Sequence, residues 1–450
     1  MEIDEIAQFE KPQTLKFNKN IWGWAIYDFA NTIFSMNIIT LYFAPWLIID
    51  KGIEDIWYSI TFSAAMFLGA VTMPPLGTIA DASGHKKKYL TYLTLICILF
   101  TFFIGLVSNL KISSQILLAL LFYAVAVFCY EGSLVFYNAL LTDVAPGRKI
   151  GQVSGLGVSL GYVGAIVGML LVLPFVQGKI FAGTGKQQAF IPTAVFFLLF
   201  SLPTFLWVKE KFSGHRTKIK LKKSFREVWD GLVNTKKYPG VLRFLISNFF
   251  FGDAIATTIL FMAVYAQLVM GFSETAKTGL FLVSTTSAAL GSLLCGWVCD
   301  RIGPKKSLAV VILGWFFSLT IVIFITDPIW FWIMGSVIGI LLGSTWTSSR
   351  PLLAGLVPKS KMGQFFSLYS LSGRAAAIMG PLIWGSVVLY FKKDFFLVEK
   401  IVDMLKSSGI SVSEPVLATI QYRFAVFSLA AVMLVGWFIL LKVPDKFDKQ

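Results

Sequence analysis

Two stretches, Gly77-Thr78-Ile79-Ala80-Asp81-Ala82-Ser83-Gly84-His85-Lys86-Lys87 and Gly296-Trp297-Val298-Cys299-Asp300-Arg301-Ile302-Gly303-Pro304-Lys305-Lys306, follow one pattern with identical internal spacing. Each stands behind a long apolar run, so the chain reads as a duplication with equivalent halves. A second echo carries the same meaning: Leu140-Leu141, Pro146 and Gly151-Gln152 return at a constant offset as Leu352-Leu353, Pro358 and Gly363-Gln364. Two apolar helices can share leucines by chance. Matched loop residues at matched spacing are a stronger sign of common origin.

The apolar runs fix the class. With 56% hydrophobic and only 14% charged residues in 450, no water-soluble core could hide this much apolar surface. A bilayer core of ~30 Å needs ~20 apolar residues per helix. Twelve such spans are expected, near 21–49, 57–80, 89–109, 113–141, 152–176, 188–208, 241–269, 276–299, 306–326, 328–349, 363–391 and 420–442. The expected fold class is therefore an all-α polytopic membrane protein: residues 1–208 as one six-helix bundle, 209–240 as a basic linker and 241–450 as a second bundle. The first span is long and carries Asp28 and Asn31, unlike a removable signal peptide.

Charge gives the orientation. The two termini, the repeated loops and the linker hold 28 of the 39 Lys and Arg, and the alternate loops hold nine. Lys and Arg concentrate on the cytoplasmic side, so both termini are expected there. The net charge of +15 then reflects topology and contact with anionic lipid headgroups, not nucleic acid. In the linker, Phe225, Val228, Trp229 and Leu232 are spaced as an amphipathic segment on the membrane surface. The long loop 392–418, with Leu397, Ile401, Met404 and Leu405, suggests a short surface helix.

Catalytic and metal chemistry find little support. Cys97, Cys129, Cys295 and Cys299 all fall within spans, which speaks against a disulfide framework. Cys295 and Cys299 share a helix face, but no His accompanies them, so no metal is expected. Gly183-Thr184-Gly185-Lys186 has some features of a phosphate loop yet lacks its glycine spacing and the following Ser or Thr. No cofactor and no enzymatic activity are expected.

The informative residues are the charges inside spans, because an ionisable group in the membrane is expensive and faces a cavity or a partner. Asp28 lies in span 1, Glu131 in span 4, Asp253 in span 7 and Arg374 in span 11; spans 3 and 6 and the interiors of 9 and 12 have none. Asp28, Asn31, Thr32 and Ser35 form one stripe on span 1. Glycines 157, 161, 164 and 168 in span 5, with Gly373 and Gly380 in span 11, permit close helix approach. Pro74-Pro75 predicts a kink in span 2.

The doubled motif resembles the loop signature of the major facilitator superfamily between helices 2–3 and 8–9. More narrowly, Trp24-Ala25-Ile26-Tyr27-Asp28-Phe29-Ala30-Asn31-Thr32, with Phe136-Tyr137-Asn138-Ala139-Leu140-Leu141 and Val153-Ser154-Gly155-Leu156-Gly157, is similar to the autophagy-related vacuolar effluxer family and its bacterial relatives. The resemblance implies that helices 1, 4, 7 and 10 line a substrate cavity, that 2, 5, 8 and 11 join the halves, and that 3, 6, 9 and 12 face lipid. Fungal members are associated with amino-acid export.

Together these readings point to a secondary active transporter of a small polar solute working by alternating access, with proton coupling. Asn31, Tyr137, Asn138, Trp346 and Arg374 are the expected solute-binding residues. Arg374 suits a carboxylate or phosphate because guanidinium donates two parallel hydrogen bonds. Asp28, Glu131 and Asp253 are the expected proton carriers: burial raises a carboxyl pKa and a neighbouring Arg lowers it, so an Arg that moves makes protonation depend on conformation. Gly77, Asp81, Gly84, Lys86, Asp300, Arg301, Gly303 and Lys305 are expected to form latches at the cytoplasmic ends. Two alternative functions remain, a lipid flippase on the same fold and a non-transporting membrane receptor or scaffold; for the charges themselves the alternative is interhelical glue, with Arg374 neutralising Asp253 or Glu131. The expected setting is a monomer in a bacterial cytoplasmic membrane in preference to a vacuolar one.

Overall fold

The computed structural model describes residues 18–110, 112–144, 150–180, 183–210, 238–357, 362–391 and 414–444, with isolated positions between 396 and 407. Among them are twelve helices long and apolar enough to cross a bilayer: α1 (Lys19–Asp50), α2 (Asp55–Ser83), α3 (Lys86–Ser108), α4 (Gln115–Val144), α5 (Ile150–Val176), α6 (Phe190–Trp207), α7 (Pro239–Leu268), α8 (Glu274–Ile302), α9 (Pro304–Phe324), α10 (Pro328–Leu356), α11 (Met362–Tyr390) and α12 (Ile420–Leu441). Helices are what lipid demands, since every backbone N–H and C=O must be satisfied within the segment. All twelve expected spans are present. Helix α10 runs on to Leu356, past the expected end at 349.

Local sequence sets the ends. Asn18 Oδ1 accepts from Ile21 N at 2.9 Å to start α1, Ser273 Oγ from Ala276 N at 3.3 Å to start α8, and Asp327 Oδ1 from Ile329 N at 2.7 Å to start α10; each satisfies a donor the helix leaves unpaired. Pro239, Pro304 and Pro328 occupy first turns, where a missing N–H costs nothing. The glycines of the repeated motif have a backbone reason: Gly84 has φ 67° and Gly303 φ 88°, left-handed values that a side chain disfavours. They turn the chain from α2 into α3 and from α8 into α9.

Helix α1 is not uniform. Ser35–Tyr42 and Trp46–Asp50 are π-helical, a wider winding that often marks functional segments. In this stretch α1 touches α7 while keeping contact with α5 and α6 of its own half. Helix α2 runs unbroken through Pro74-Pro75; the side chains there lie outside the described residues.

The packing repeats six helices on. Helix α1 packs on α5 and α6, α3 on α4 and α6, and α2 on α4; correspondingly α7 packs on α11 and α12, α9 on α10 and α12, and α8 on α10. The two sets meet mainly along α2 and α11, with a shorter contact of α5 with α8 and of the end of α1 with α7. Small residues allow the close pairs. A Cβ at Gly164 would run into the Phe29 backbone of α1, and one at Gly343 into the Ala288 backbone of α8. Gly373 faces open space instead, so it is not a packing glycine.

All four cysteines are free and buried, with Cys295 and Cys299 Sγ atoms 3.8 Å apart. The expected amphipathic segment at Phe225–Leu232 and most of loop 392–418 lie outside the described residues; Glu414–Ala418 forms a short helix.

Candidate functional site

A cavity of about 670 Å³ opens between the two sets of helices. Its polar wall comes from Asp28, Thr32 and Ser35 on α1, Glu131 on α4, Tyr162 on α5, Thr258 on α7, Ser284 and Thr285 on α8, and Trp346 on α10. The rest is apolar, with Met36, Phe62, Met66, Met262, Phe281 and Met334 prominent. Helices α2, α5 and α8 thus contribute as well as α1, α4, α7 and α10, because α8 lies flush on the glycine face of α10.

The polar stripe of α1 divides. Thr32 Oγ1 back-bonds to Asp28 O at 2.9 Å and reaches Gly161 O of α5 at 2.8 Å. Asn31 turns away from the cavity: its amide donates to Tyr27 O at 3.1 Å and to Asp28 Oδ1 at 3.0 Å. It positions the Asp28 carboxylate and does not line the cavity.

Glu131 and Arg374 meet across the halves. Arg374 Nε lies 3.8 Å from Glu131 Oε2, and the side chains are 19% and 21% exposed. Arg374 sits twelve residues into α11, roughly 18 Å along it, close to mid-membrane. Asp253 is elsewhere. It is buried, and its Oδ1 accepts from Gly380 N at 2.5 Å, stitching α7 to α11 within the second half. Gly380 makes this possible, since a Cβ there would collide with Thr257 Oγ1 and lie 2.7 Å from Asp253 Oδ1.

Of the other solute-binding candidates, Trp346 lines the cavity and is half-exposed. Tyr137 is stacked on Trp24, ring centroids 4.4 Å apart, and its carbonyl accepts from Trp24 Nε1 at 2.8 Å. Its buried hydroxyl has no hydrogen-bond partner among the described residues. Asn138 is exposed and does not line the cavity.

The motif end and the opposite end of the bundle differ. At the motif end, the side chains of Gly77, Asp81 and Asp300 lie outside the described residues. Lys86 Nζ is 3.4 Å from Asp143 Oδ2 of α4, in its own half. Arg301 stacks on Trp297 of its own helix at 3.5 Å, and Lys305 is half-buried at the start of α9. The opposite end is tied across the halves. Buried Lys186, before α6, contacts Asp50 Oδ1 at 2.5 Å and Glu274 Oε1 of α8 at 3.5 Å. Fully buried Lys277 adds Glu274 at 2.9 Å and Gln267 at 2.6 Å. Below this, the Asp55 carboxylate accepts from Trp384 Nε1 at 3.1 Å and Tyr422 hydroxyl at 3.2 Å. Ser63 Oγ donates to Ile378 O at 2.8 Å. These bonds lie at the middle of the helices or beyond it, away from the termini.

Sequence reading missed this network and the contribution of α8. Asp50, Glu274 and Lys186 look like ordinary loop charges at span ends, more than eighty residues apart, and only the fold joins them. The available signal was Lys186 itself, a cation at the very start of an apolar run with carboxylates at two other span ends on the same side.

The geometry has parallels. The family described as vacuole effluxer Atg22 like matches residues 143–391, and the major facilitator superfamily matches residues 5–169. The chain is 27% identical to the uncharacterized MFS-type transporter YxiO of Bacillus subtilis over 82% of this chain and 88% of that one. It is 23% identical to autophagy-related protein 22 of Kluyveromyces lactis over 73% of each. Among solved structures, a bacterial homolog of the human lysosomal transporter Spinster, in an inward-facing and occupied conformation, superposes with a TM-score of 0.70 at 14% identity, covering 94% of this chain and 96% of that one. Twelve spanning helices, a packing pattern that repeats after six, and a cavity between the sets complete the agreement: the chain belongs to the vacuole effluxer Atg22-like family of the major facilitator superfamily.

Proposed function

We propose that this transporter moves a small solute by proton-coupled alternating access, with Asp28 and Glu131 carrying the proton. The observation that carries this reading is the Glu131–Arg374 bridge, a carboxylate on the cavity wall paired across the halves. Protonating Glu131 removes the charge–charge attraction of that pair, so the bridge that favours one arrangement of the halves becomes sensitive to protons. A bridge that opens and closes is what a transporter needs; a permanent one would only glue.

If both termini lie in the cytoplasm, as the charge distribution suggests, the end tied at Lys186 faces outward and the arrangement described here is closed on the outer side. Asp81 and Asp300 would then latch the cytoplasmic end in the opposite state, each accepting hydrogen bonds from a helix start across the interface. Arg374, released from Glu131, becomes available to a solute carboxylate, which keeps amino acids among the candidate cargoes and suits an effluxer family. The mainly apolar wall favours a solute with a substantial apolar part. A bacterial cytoplasmic membrane is the proposed setting.

The test is proton flux in proteoliposomes while candidate solutes are added. Wild-type protein should acidify the lumen on solute counterflow, and Asp28→Asn and Glu131→Gln should each abolish that coupling. Undiminished coupling in both variants would remove these residues from the mechanism, and solute-independent lipid scrambling would favour a flippase.

A further inference from the structure

We propose that the cavity takes amphipathic organic cations, the positive group held at Asp28 and the apolar body lodged among the surrounding methionines and aromatic rings. This rests on the transporter reading and gives it a substrate class.

The charge on the wall has one sign. Asp28 and Glu131 line the cavity, and among the described residues no Lys, Arg or His does. Glu131 already has Arg374. Asp28 has the Asn31 amide and, among the described residues, no cation within ion-pair distance. An unpaired carboxylate in such surroundings is costly and is relieved by a proton or by a cation. The cavity that Asp28 and Gly161 both line supplies the room, and Gly161 keeps the carboxylate uncrowded, since a Cβ there would press to 3.3 Å from Asp28 Cγ and Oδ2.

The rest of the wall selects against other charges. An anion would face the Asp28 carboxylate, which has no ion-pair partner among the described residues, while Arg374 is taken up by Glu131. A small hydrated cation would exchange its water for thioethers and methyl groups. A cation carrying an apolar body exchanges water for contacts it prefers: Met36, Met66, Met262 and Met334 adapt to irregular shapes, and Trp346, also on the wall, is of the side-chain type that most attracts positive charge. A volume of about 670 Å³ falls within the range of pockets that enclose drug-sized ligands.

Cation and proton compete for Asp28. The titratable groups around Asp28 are the phenols of Tyr27 on α1, Tyr130 and Tyr137 on α4 and Tyr162 on α5, and the one cation whose field reaches it among the described residues is Arg350 on α10. Phenols and guanidinium groups ordinarily keep their protons between pH 5 and 8. Glu131, on the same wall, is the other carboxylate that can titrate, so Glu131→Gln separates the two contributions.

The experiment is equilibrium binding of tetraphenylphosphonium and of its near-isosteric anion tetraphenylborate to the full chain in nanodiscs, with empty nanodiscs as reference. The cation should bind at least about tenfold more tightly than the anion, should weaken as pH falls from 8 to 5 in wild-type and Glu131→Gln protein, and should lose both affinity and pH dependence in Asp28→Asn. Asp28→Glu should keep them. Thermal melting of each variant checks folding, and the cation-to-anion ratio and pH series of the wild type need no variant. Equal binding of both ions, or cation binding indifferent to pH and to Asp28→Asn, overturns the proposal. If the cation fails but a zwitterionic amino acid drives proton flux, the substrate class falls and the transporter reading stands.

Discussion

At the scale of single residues, the consequential fact is that Arg374 pairs with Glu131 across the halves while Asp253 is held by the α11 backbone. Sequence alone found the four charges, because charge inside an apolar span is conspicuous. It could not say which partner each takes, since pairing depends on helix rotation and on glycines such as Gly380 that let one backbone reach another. Removing Arg374 should leave Glu131 unpaired on the cavity wall. Arg374→Ala is therefore expected to lower unfolding stability by about 1–3 kcal/mol, less than for a fully buried pair because both groups are partly exposed. The Glu131→Gln/Arg374→Ala double variant should recover much of this in a thermal melt. Arg374→Lys keeps the charge and loses the planar fork; it should melt like wild type yet transport poorly, and full transport by both Arg374→Lys and Arg374→Ala would show that Arg374 is not the solute's anion site. Gly380→Ala should destabilise the fold by about 1–3 kcal/mol, its Cβ striking Thr257 and Asp253.

At the scale of elements, the twelve helices were legible because each is a long apolar run ended by Gly, Pro or charge. The π-helical winding of α1 was not, because Ser35–Tyr42 differs from an α-helix only by a small change of pitch that no residue type announces. Nor was the tie around Lys186 visible, since its members come from three distant segments. Its consequence is testable. Lys186→Ala removes the cation that joins Asp50 to Glu274, leaving Glu274 with Lys277 and Asp50 without its partner, so the closed arrangement at that end loses its attraction. A cysteine introduced at Ser35, on the cavity wall, should then react with a membrane-impermeant thiol reagent from the outer side about tenfold faster than in the Lys186-containing protein. An unchanged rate would show that Lys186 does not hold this end shut.

At the scale of the whole molecule, the duplication first read from two short motifs reappears as a packing scheme that repeats after six helices, with glycines of left-handed φ at matching places. The cavity between the sets was legible only in outline. Its polar members on α1 and α4 stood out, but its apolar bulk and the part played by α8 are products of three-dimensional packing that hydropathy averages away. If the motif loops latch the end bearing the termini, Asp81→Asn should widen the distance distribution there while leaving the Lys186 end unchanged.

The most direct test of alternating access uses two spin-label pairs, Lys51 with Trp330 at the tied end and Lys88 with Lys306 at the motif end, all exposed positions, measured by double electron–electron resonance in Glu131→Gln and in the parent protein. Glu131→Gln mimics the protonated side chain and breaks the bridge that accompanies the arrangement described here. The Lys51–Trp330 distance should lengthen and the Lys88–Lys306 distance should shorten in the same sample. Two distances that stay fixed, or that lengthen together, would contradict the account.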